Sequence, residues 1–303
     1  MSKIRLGVSS CLLGNKVRYD GQHQRNNFVC DELAEFVEYV PVCPEVECGL
    51  PVPREAMHLT GDAQHPRLVT INTQRDITEQ MQSFVTRRLE ELALENLDGF
   101  IFKKDSPSSG LIRVKVYNGN GMPSRTGRGM FAGAFADRFP DLPLIEEGML
   151  NDRFLRERFL NRISAAQRWR DYPRGNNPRR MLSEFQSENK LLLMSHAPGR
   201  YAELGRLVEH GDTTEYWRKF RELLQFTPSV SKHVNVMQHI LGYFKKELEP
   251  WEKSEVLNAI DGYHHGSLQI AVPLTLLRHY VKKFDQGYLA RQSYWNILSQ
   301  LYL

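Results

Sequence analysis

The sequence has few cysteines, no long apolar run and no paired metal-ligand motif, and each absence narrows what the chain can be. Four cysteines among 303 residues are too sparse for a disulfide framework, which leaves core packing, metal or cluster ligation and nucleophilic chemistry as the roles open to a thiol. No stretch approaches the ~20 apolar residues of a membrane span. The opening Met-Ser-Lys-Ile-Arg runs into Leu-Gly-Val-Ser-Ser without the apolar core of a signal peptide, so a cytoplasmic protein with no membrane partner is expected. Neither a Cys-x-x-Cys knuckle nor a His-Glu-x-x-His pattern occurs, which argues against structural zinc and zincin chemistry. What is present is ordinary globular composition, 41% hydrophobic and 25% charged, at a length that suits two domains.

Charge separates the halves. Residues 1–150 carry 17 basic against 20 acidic residues, and residues 151–303 carry 23 against 16. Nine arginines fall within 151–180, among them Arg168, Arg170, Arg174, Arg179 and Arg180, beside Trp169 and Tyr172. Such a cluster is the footprint of contact with a phosphate backbone, and it reads equally as a solvated helix face leading into a linker.

The first half alternates strands and helices. Strands are expected at Ile4–Ser9, Val40–Cys43, Gly99–Lys103 and Leu142–Ile145, and helices at Phe28–Tyr39, Ile77–Leu97 and Met130–Phe139. This order predicts a Rossmann-like α/β domain with a parallel sheet, whose ligands bind beyond the carboxyl ends of the strands. The second half is helical, with Val234, Met237, Leu241 and Phe244 and then Leu274, Leu277 and Val281 on core faces. An all-α domain therefore follows, with the domains drawn at 1–165 and 166–303. Lys232, Lys245 and Lys246, interleaved with tyrosines, suit an RNA-facing surface there.

Three loops follow the first three strands: Ser9-Ser10-Cys11-Leu12-Leu13-Gly14, then Cys43-Pro44-Glu45-Val46-Glu47-Cys48-Gly49 running on to Arg54, then Lys103-Lys104-Asp105-Ser106-Pro107-Ser108-Ser109-Gly110. Two of them open with a cysteine, so Cys11 and Cys43 are expected in one crevice. Cys30 lies within the first helical pattern and reads as core, whereas Cys48 is ambiguous. Convergent cysteines without knuckles suit an incompletely ligated iron–sulfur cluster or a thiolate nucleophile. A cysteine hydrolase built on Cys11 lacks a well-placed histidine, His23 and His58 being the nearest in sequence.

These motifs, together with Arg18-Tyr19-Asp20-Gly21 and Gly49-Leu-Pro-Val-Pro-Arg54-Glu55, resemble the thiouracil desulfidase (TudS) family over about residues 1–150. The resemblance implies a [4Fe-4S] cluster held by three cysteines, with one iron open to the sulfur of a thiolated pyrimidine. Segments of the second half, such as Glu188–His196 and Ser231–Lys246, resemble the YbgA-like helical domain. A fusion of the two looks like the RudS-type tRNA desulfidases, which implies tRNA carrying 4-thiouridine as partner and substrate. By that resemblance Cys11 and Cys43 are cluster ligands and Glu45 and Ser106 catalytic residues.

At the family's third cysteine position this chain has Ser109, a poorer donor to iron than a thiolate. Three explanations stand side by side: Cys48 takes its place, the chain is a Cys-to-Ser variant, or the chemistry has been lost or changed. The last makes a non-catalytic tRNA-binding protein the competing class. Attack of water on a thiocarbonyl needs one carboxyl group to move protons, and Glu45 is that group unless it serves as a helix cap or pairs with Arg54. Glu47 and Asp105 are the fallback candidates.

Overall fold

The computed structural model describes residues 2–173 and 175–295, and Arg174 lies outside them. The chain divides into two compact units between Asp152 and Arg153. The boundary expected at 165/166 falls inside a helix instead, because Arg153–Asp171 is one continuous helix that opens the second unit.

Among the described residues the first unit has eight strands: β1 Ile4–Ser9, β2 Val37–Val42, β3 Met57–Gly61, β4 Pro66–Thr70, β5 Gly99–Phe102, β6 Val114–Tyr117, β7 Pro123–Gly127 and β8 Leu144–Glu146. Its helices are α1 Pro44–Glu47, α2 Thr78–Ala93 and α3 Met130–Arg138. One sheet is wholly parallel in the order β2-β1-β5-β8, and a second, mixed sheet has the order β4-β3-β6-β7. The second sheet is absent from the sequence reading. Its strands are short, and β7, Pro-Ser-Arg-Thr-Gly, is exposed except at Gly127, so it offers no apolar alternation to detect.

Between the sheets and the apolar faces of α2 and α3 lies one core. Phe100 and Phe102 of β5 stack at 4.1 Å, and Phe135 of α3 meets Phe100 edge-on at 4.9 Å. The helix expected over Phe28–Tyr39 forms only a single π-type turn, Phe28–Glu32, and a 3-10 turn, Leu33–Glu35. From Val37 the chain is instead strand, paired residue for residue with Ile4–Ser9. Tertiary pairing of β-branched residues overrides the helical spacing there.

The second unit comprises nine helices among the described residues: α4 Arg153–Asp171, α5 Pro178–Glu188, α6 Lys190–His196, α7 Ala202–His210, α8 Thr213–Leu223, α9 Val230–Gly242, α10 Pro250–His264, α11 Ala271–Lys283 and α12 Gly287–Ala290. Their starts are chemically marked. The Asp212 carboxylate accepts from Thr214 and Glu215 backbone N–H groups, and Glu249 with Glu252 closes a capping box on α10. Among the described residues no helix is long and apolar enough to cross a membrane.

His196 is fully buried at the end of α6. Its Nδ1 lies 2.7 Å from the Phe226 carbonyl, to which it can only donate, and its Nε2 lies 3.1 Å from the Asn161 amide nitrogen, from which it accepts. That pairing uses the neutral ring, and burial pulls its pKa down to about 3. The unfolded chain takes up a proton near pH 6.5 that the folded chain refuses, so this contribution to stability is complete above that pH and is lost as the pH falls towards 3. Denaturant titrations from pH 7 to 5 should show stability falling by up to about 1.4 kcal/mol per pH unit from this group. His196→Gln should flatten the slope, and an unchanged slope would show that His196 does not carry it.

Candidate active site

In the parallel sheet the chain steps from β1 to β2 on one side and later returns to place β5 on the other, so the strand order reverses beside β1. The carboxyl ends of β1, β2 and β5 lead directly into the three motif loops. Those loops surround a cavity of about 350 Å³ whose lining includes Cys11, Cys43, Glu45, Arg54, Ser106 and Ser109. That volume lies within the range of small-molecule sites, roughly 300–1,000 Å³.

Each loop is held by its own chemistry. After β1 the chain makes a 3-10 turn, Ser10–Leu13, closed by Gly14 at φ 91°, a left-handed conformation that favours glycine. The Cys11 carbonyl accepts from Gly14 N at 3.3 Å and Gln24 N at 3.0 Å. After β2, Cys43 is the N-cap of the short α1, Pro44 fills its first turn, and the Glu47 carboxylate accepts from Cys43 N at 2.6 Å. Glu47, a fallback proton carrier, is thereby committed to the turn and to Arg88, 3.1 Å away.

The loop after β5 is anchored on α3. Carbonyls of Pro107, Ser108 and Gly110 accept from the otherwise unpaired N–H groups of Gly129, Met130, Phe131 and Ala132 at 2.7–3.1 Å. A Cβ at Gly129 would stand 2.6 Å from the Ser108 carbonyl carbon and oxygen, so only glycine permits this approach. Ser106 Oγ accepts from Ser109 N at 3.1 Å and so shapes the turn from within.

Glu45 is engaged at both oxygens. Arg54, whose side chain is 4% exposed, donates Nε to Oε2 at 3.0 Å and also brings Nη2 to that oxygen, while Ser108 Oγ donates to Oε1 at 2.9 Å. The alternative reading of Glu45, an ion pair with Arg54, is thus present in the structure, and it holds the carboxylate facing the cavity. Ser108 is 1% exposed, and its hydroxyl also lies 3.1 Å from Ser106 Oγ and 3.4 Å from Ser109 Oγ. A row of hydroxyls therefore leads from Glu45 to position 109. The sequence reading assigned Ser108 no role, although the Ser-Pro-Ser-Ser run was its one signal. It also missed Lys103, a lining residue that pairs with Glu147 at 2.6 Å.

The cysteines divide. Cys11 and Cys43 line the cavity, whereas Cys48 does not: its thiol donates to the Glu45 carbonyl at 3.2 Å and packs against the core. Cys30 is half-buried off the cavity, donating to the Leu12 carbonyl at 3.3 Å. Asp105, the other fallback, is an exposed rim residue 3.3 Å from Arg125. Burial pushes the Cys11 thiol up to about 11, with neighbouring Cys43 adding to the rise and Lys103 and Arg18 opposing it. The Cys43 thiol is raised as well, chiefly by burial. Both are protonated at neutral pH, so a bound metal would displace protons.

Of the residues expected to meet RNA, several are used internally by the helical unit. Arg168 is half-buried and donates to Asn189 Oδ1, and Lys232, also half-buried, donates to the His196 and Thr227 carbonyls at 2.7 Å. Both side chains are thus engaged in contacts within the unit. Arg170 is half-buried, 3.5 Å from Asp171. Trp169 stacks on Trp217 at 4.9 Å and Tyr172 packs against Phe185, so the aromatics beside the arginines belong to the core. Arg179, Arg180, Lys245 and Lys246 are exposed, and Arg180 pairs with Glu184 along α5.

Fold and site together define an α/β domain with two thiols and a paired carboxylate at the sheet's switch point, joined to a helical domain. Residues 6–147 match the family model described as 2-thiouracil desulfurase, and residues 190–298 match that described as DUF1722, a protein of unknown function. The uncharacterized protein YbbK of Bacillus subtilis (strain 168) is 30% identical over 152 residues, 48% of this chain and 97% of its own length. The uncharacterized protein YbgA of Escherichia coli (strain K12) is 26% identical over 124 residues, 38% of this chain and 73% of its own. A solved structure titled [4Fe-4S]-dependent thiouracil desulfidase TudS is 29% identical, with a TM-score of 0.40, covering 50% of this chain and 95% of that one. Through its α/β unit, the chain belongs to the 2-thiouracil desulfurase family.

The thiol chemistry makes a direct prediction for the metal-free protein. With Cys11 near 11, its thiolate fraction at pH 8 is about 0.1%, so alkylation by iodoacetamide should be slow and should rise about tenfold per pH unit through pH 10. Peptide mapping of the alkylated protein reads this out, and fast modification of Cys11 at pH 7 would contradict the burial argument.

Proposed function

We propose that this protein is a desulfidase that converts 4-thiouridine in tRNA to uridine, using a [4Fe-4S] cluster in the cavity of the α/β unit. The observation that carries the reading is the meeting of Cys11, Cys43 and Glu45 at one cavity in a chain of this family. The donor set fits such a cluster at two positions with thiols, and at the third it presents the hydroxyl of Ser109. Cys11 and Cys43 would hold the cluster, with Ser109 as the oxygen donor between them and the hydroxyl row. When bound, the cluster supplies a Lewis-acidic iron for the departing sulfur.

The reaction is a net hydrolysis: water adds to the C4 carbon of the base, the carbon–sulfur bond breaks, and sulfur leaves as hydrosulfide. The chain's own groups manage the protons. Glu45 accepts one proton of the attacking water at Oε1, next to Ser108, and returns it to N3 of a base that binds as its N3-deprotonated thiolate, while the water's other proton leaves with the sulfur as hydrosulfide. Arg54 keeps the carboxylate aimed through two N–H groups on Oε2, and Ser106 orients the water through the same hydroxyl row. Tyr19, 44% exposed at the cavity's edge with Arg18 against its ring, offers a face for a base. The helical unit supplies exposed cations for tRNA, Arg179, Arg180, Lys245 and Lys246 among them, and the whole works in the cytoplasm.

Ser109 favours a second reading, a tRNA-binding protein with a deficient cluster. Iron and sulfide content after anaerobic purification, with sulfide release from 4-thiouridine tRNA, separates the two. Ser109→Cys should raise bound iron towards about four per chain and increase sulfide release. If it changes neither, the cluster assignment at this position is wrong.

Glu45→Gln should leave bound iron unchanged while lowering the rate of sulfide release by about 100- to 10,000-fold. A variant with full activity would remove Glu45 from the mechanism.

A further inference from the structure

The end of α10 carries the run Asp261-Gly262-Tyr263-His264-His265. It is neither a Cys-x-x-Cys knuckle nor a His-Glu-x-x-His pattern, yet residues three and four apart are neighbours on a helix surface, so one carboxylate and two imidazoles share a face. One ligand atom from each of Asp261, His264 and His265 lies within 4.8 Å of the other two. The Nδ1 of His265 stands 3.2 Å from Asp261 Oδ1 and 3.0 Å from the Asp261 carbonyl, to which it can only donate. The centres of the two imidazole rings are 5.2 Å apart.

Two further observations point the same way. Asp261 and His264 also line a hollow of about 270 Å³ between α9 and α10, to whose wall Gln238 of α9 and Asn258 of α10 add amide groups. The group closes the carboxyl end of a 15-residue helix, where the partial negative charge of the helix dipole favours a cation. Bonds of about 2.0–2.2 Å to one ion set tetrahedral ligand atoms roughly 3.3–3.5 Å apart, so side-chain movements of about 1 Å would close the site. All three residues are exposed, which leaves their side chains free to make that movement. The proton that His265 Nδ1 now donates is one that a metal would displace.

We propose that Asp261, His264 and His265 bind a divalent transition-metal cation, of the class of Zn2+ and Ni2+, on the helical unit. Two imidazoles and one carboxylate suit such ions, whereas Mg2+ and Ca2+ call for oxygen ligands throughout. Three protein ligands leave a coordination position open, and the adjoining hollow with its two amides has room for the water or small anion that fills it. The site stands apart from the desulfidase reading, since its donors are nitrogen and oxygen and none of them belongs to the α/β unit that carries Cys11 and Cys43.

The test titrates the full chain with Ni2+ by calorimetry and compares the parent with the double variant His264→Gln/His265→Gln. The exposed positions tolerate these changes, and circular dichroism checks that the helices are kept. The parent should take up one equivalent of Ni2+ that the double variant lacks. His264→Gln, His265→Gln and Asp261→Asn should each weaken that equivalent by about tenfold or more, since even the outer partners of a metal are worth roughly 10- to 100-fold in affinity. Ni2+ should also raise the melting temperature of the parent by more than that of the double variant. Co2+ taken up at this site should show no sulfur-to-metal charge-transfer absorption, which separates it from metal held by Cys11 and Cys43, and excess Mg2+ should not displace it. Equal uptake of Ni2+ by the parent and the double variant, or displacement by Mg2+, would overturn the site. Full affinity in Asp261→Asn would overturn the three-ligand set.

Discussion

Parallel pairing of β1 with β2 on one flank and with β5 on the other is the constraint on which the α/β unit depends. Because parallel strands end at the same edge, three loops far apart in sequence must open onto one crevice. Cys11, Cys43 and the Ser106–Ser109 turn meet there by topology, with no need for local contacts between them. The phenylalanines of β5 and α3 tie that sheet to the core beneath, and the turn after β5 is bonded to the first N–H groups of α3. A change in this packing would therefore reach position 109 through the backbone.

The site itself is an exercise in charge kept in register. Arg54 is buried with Glu45 and the Val17 and Pro51 carbonyls accepting from it, and Glu45 is held at the cavity by Arg54 and Ser108 on its two oxygens. A paired carboxylate of this sort is both a structural element and a base, so the two readings of Glu45 are not exclusive. The thiols are treated in the opposite way. Burial keeps them neutral until something of positive charge arrives, which suits residues that wait for a metal rather than attack a carbon.

Much of the α/β unit was legible in the sequence. The four strands of the parallel sheet, α2, α3 and the three Gly- and Pro-rich loops follow from hydrophobic period and turn chemistry, with boundaries displaced by a few residues. The mixed sheet was not legible, because its short strands take their partners from other segments rather than from alternation of their own. Nor was the turn at Phe28–Glu35, where strand pairing of Val37 onward cuts short a helical pattern. In the helical unit the core faces were read correctly, and the arginine-rich helix was read by composition alone.

That helix marks the limit. The sequence by itself determined that nine arginines lie within 151–180, that two cysteines begin loops after strands, and that residue 109 is a serine. Only the tertiary structure decided that Arg168 faces Asn189 and Trp169 stacks on Trp217. It likewise decided that Cys48 turns to the core and that Ser108 joins Glu45 to the hydroxyl row. The physical reason is range. Periodicity and turn chemistry act over a few neighbouring residues, whereas desolvation and charge pairing depend on which distant side chains fold against one another.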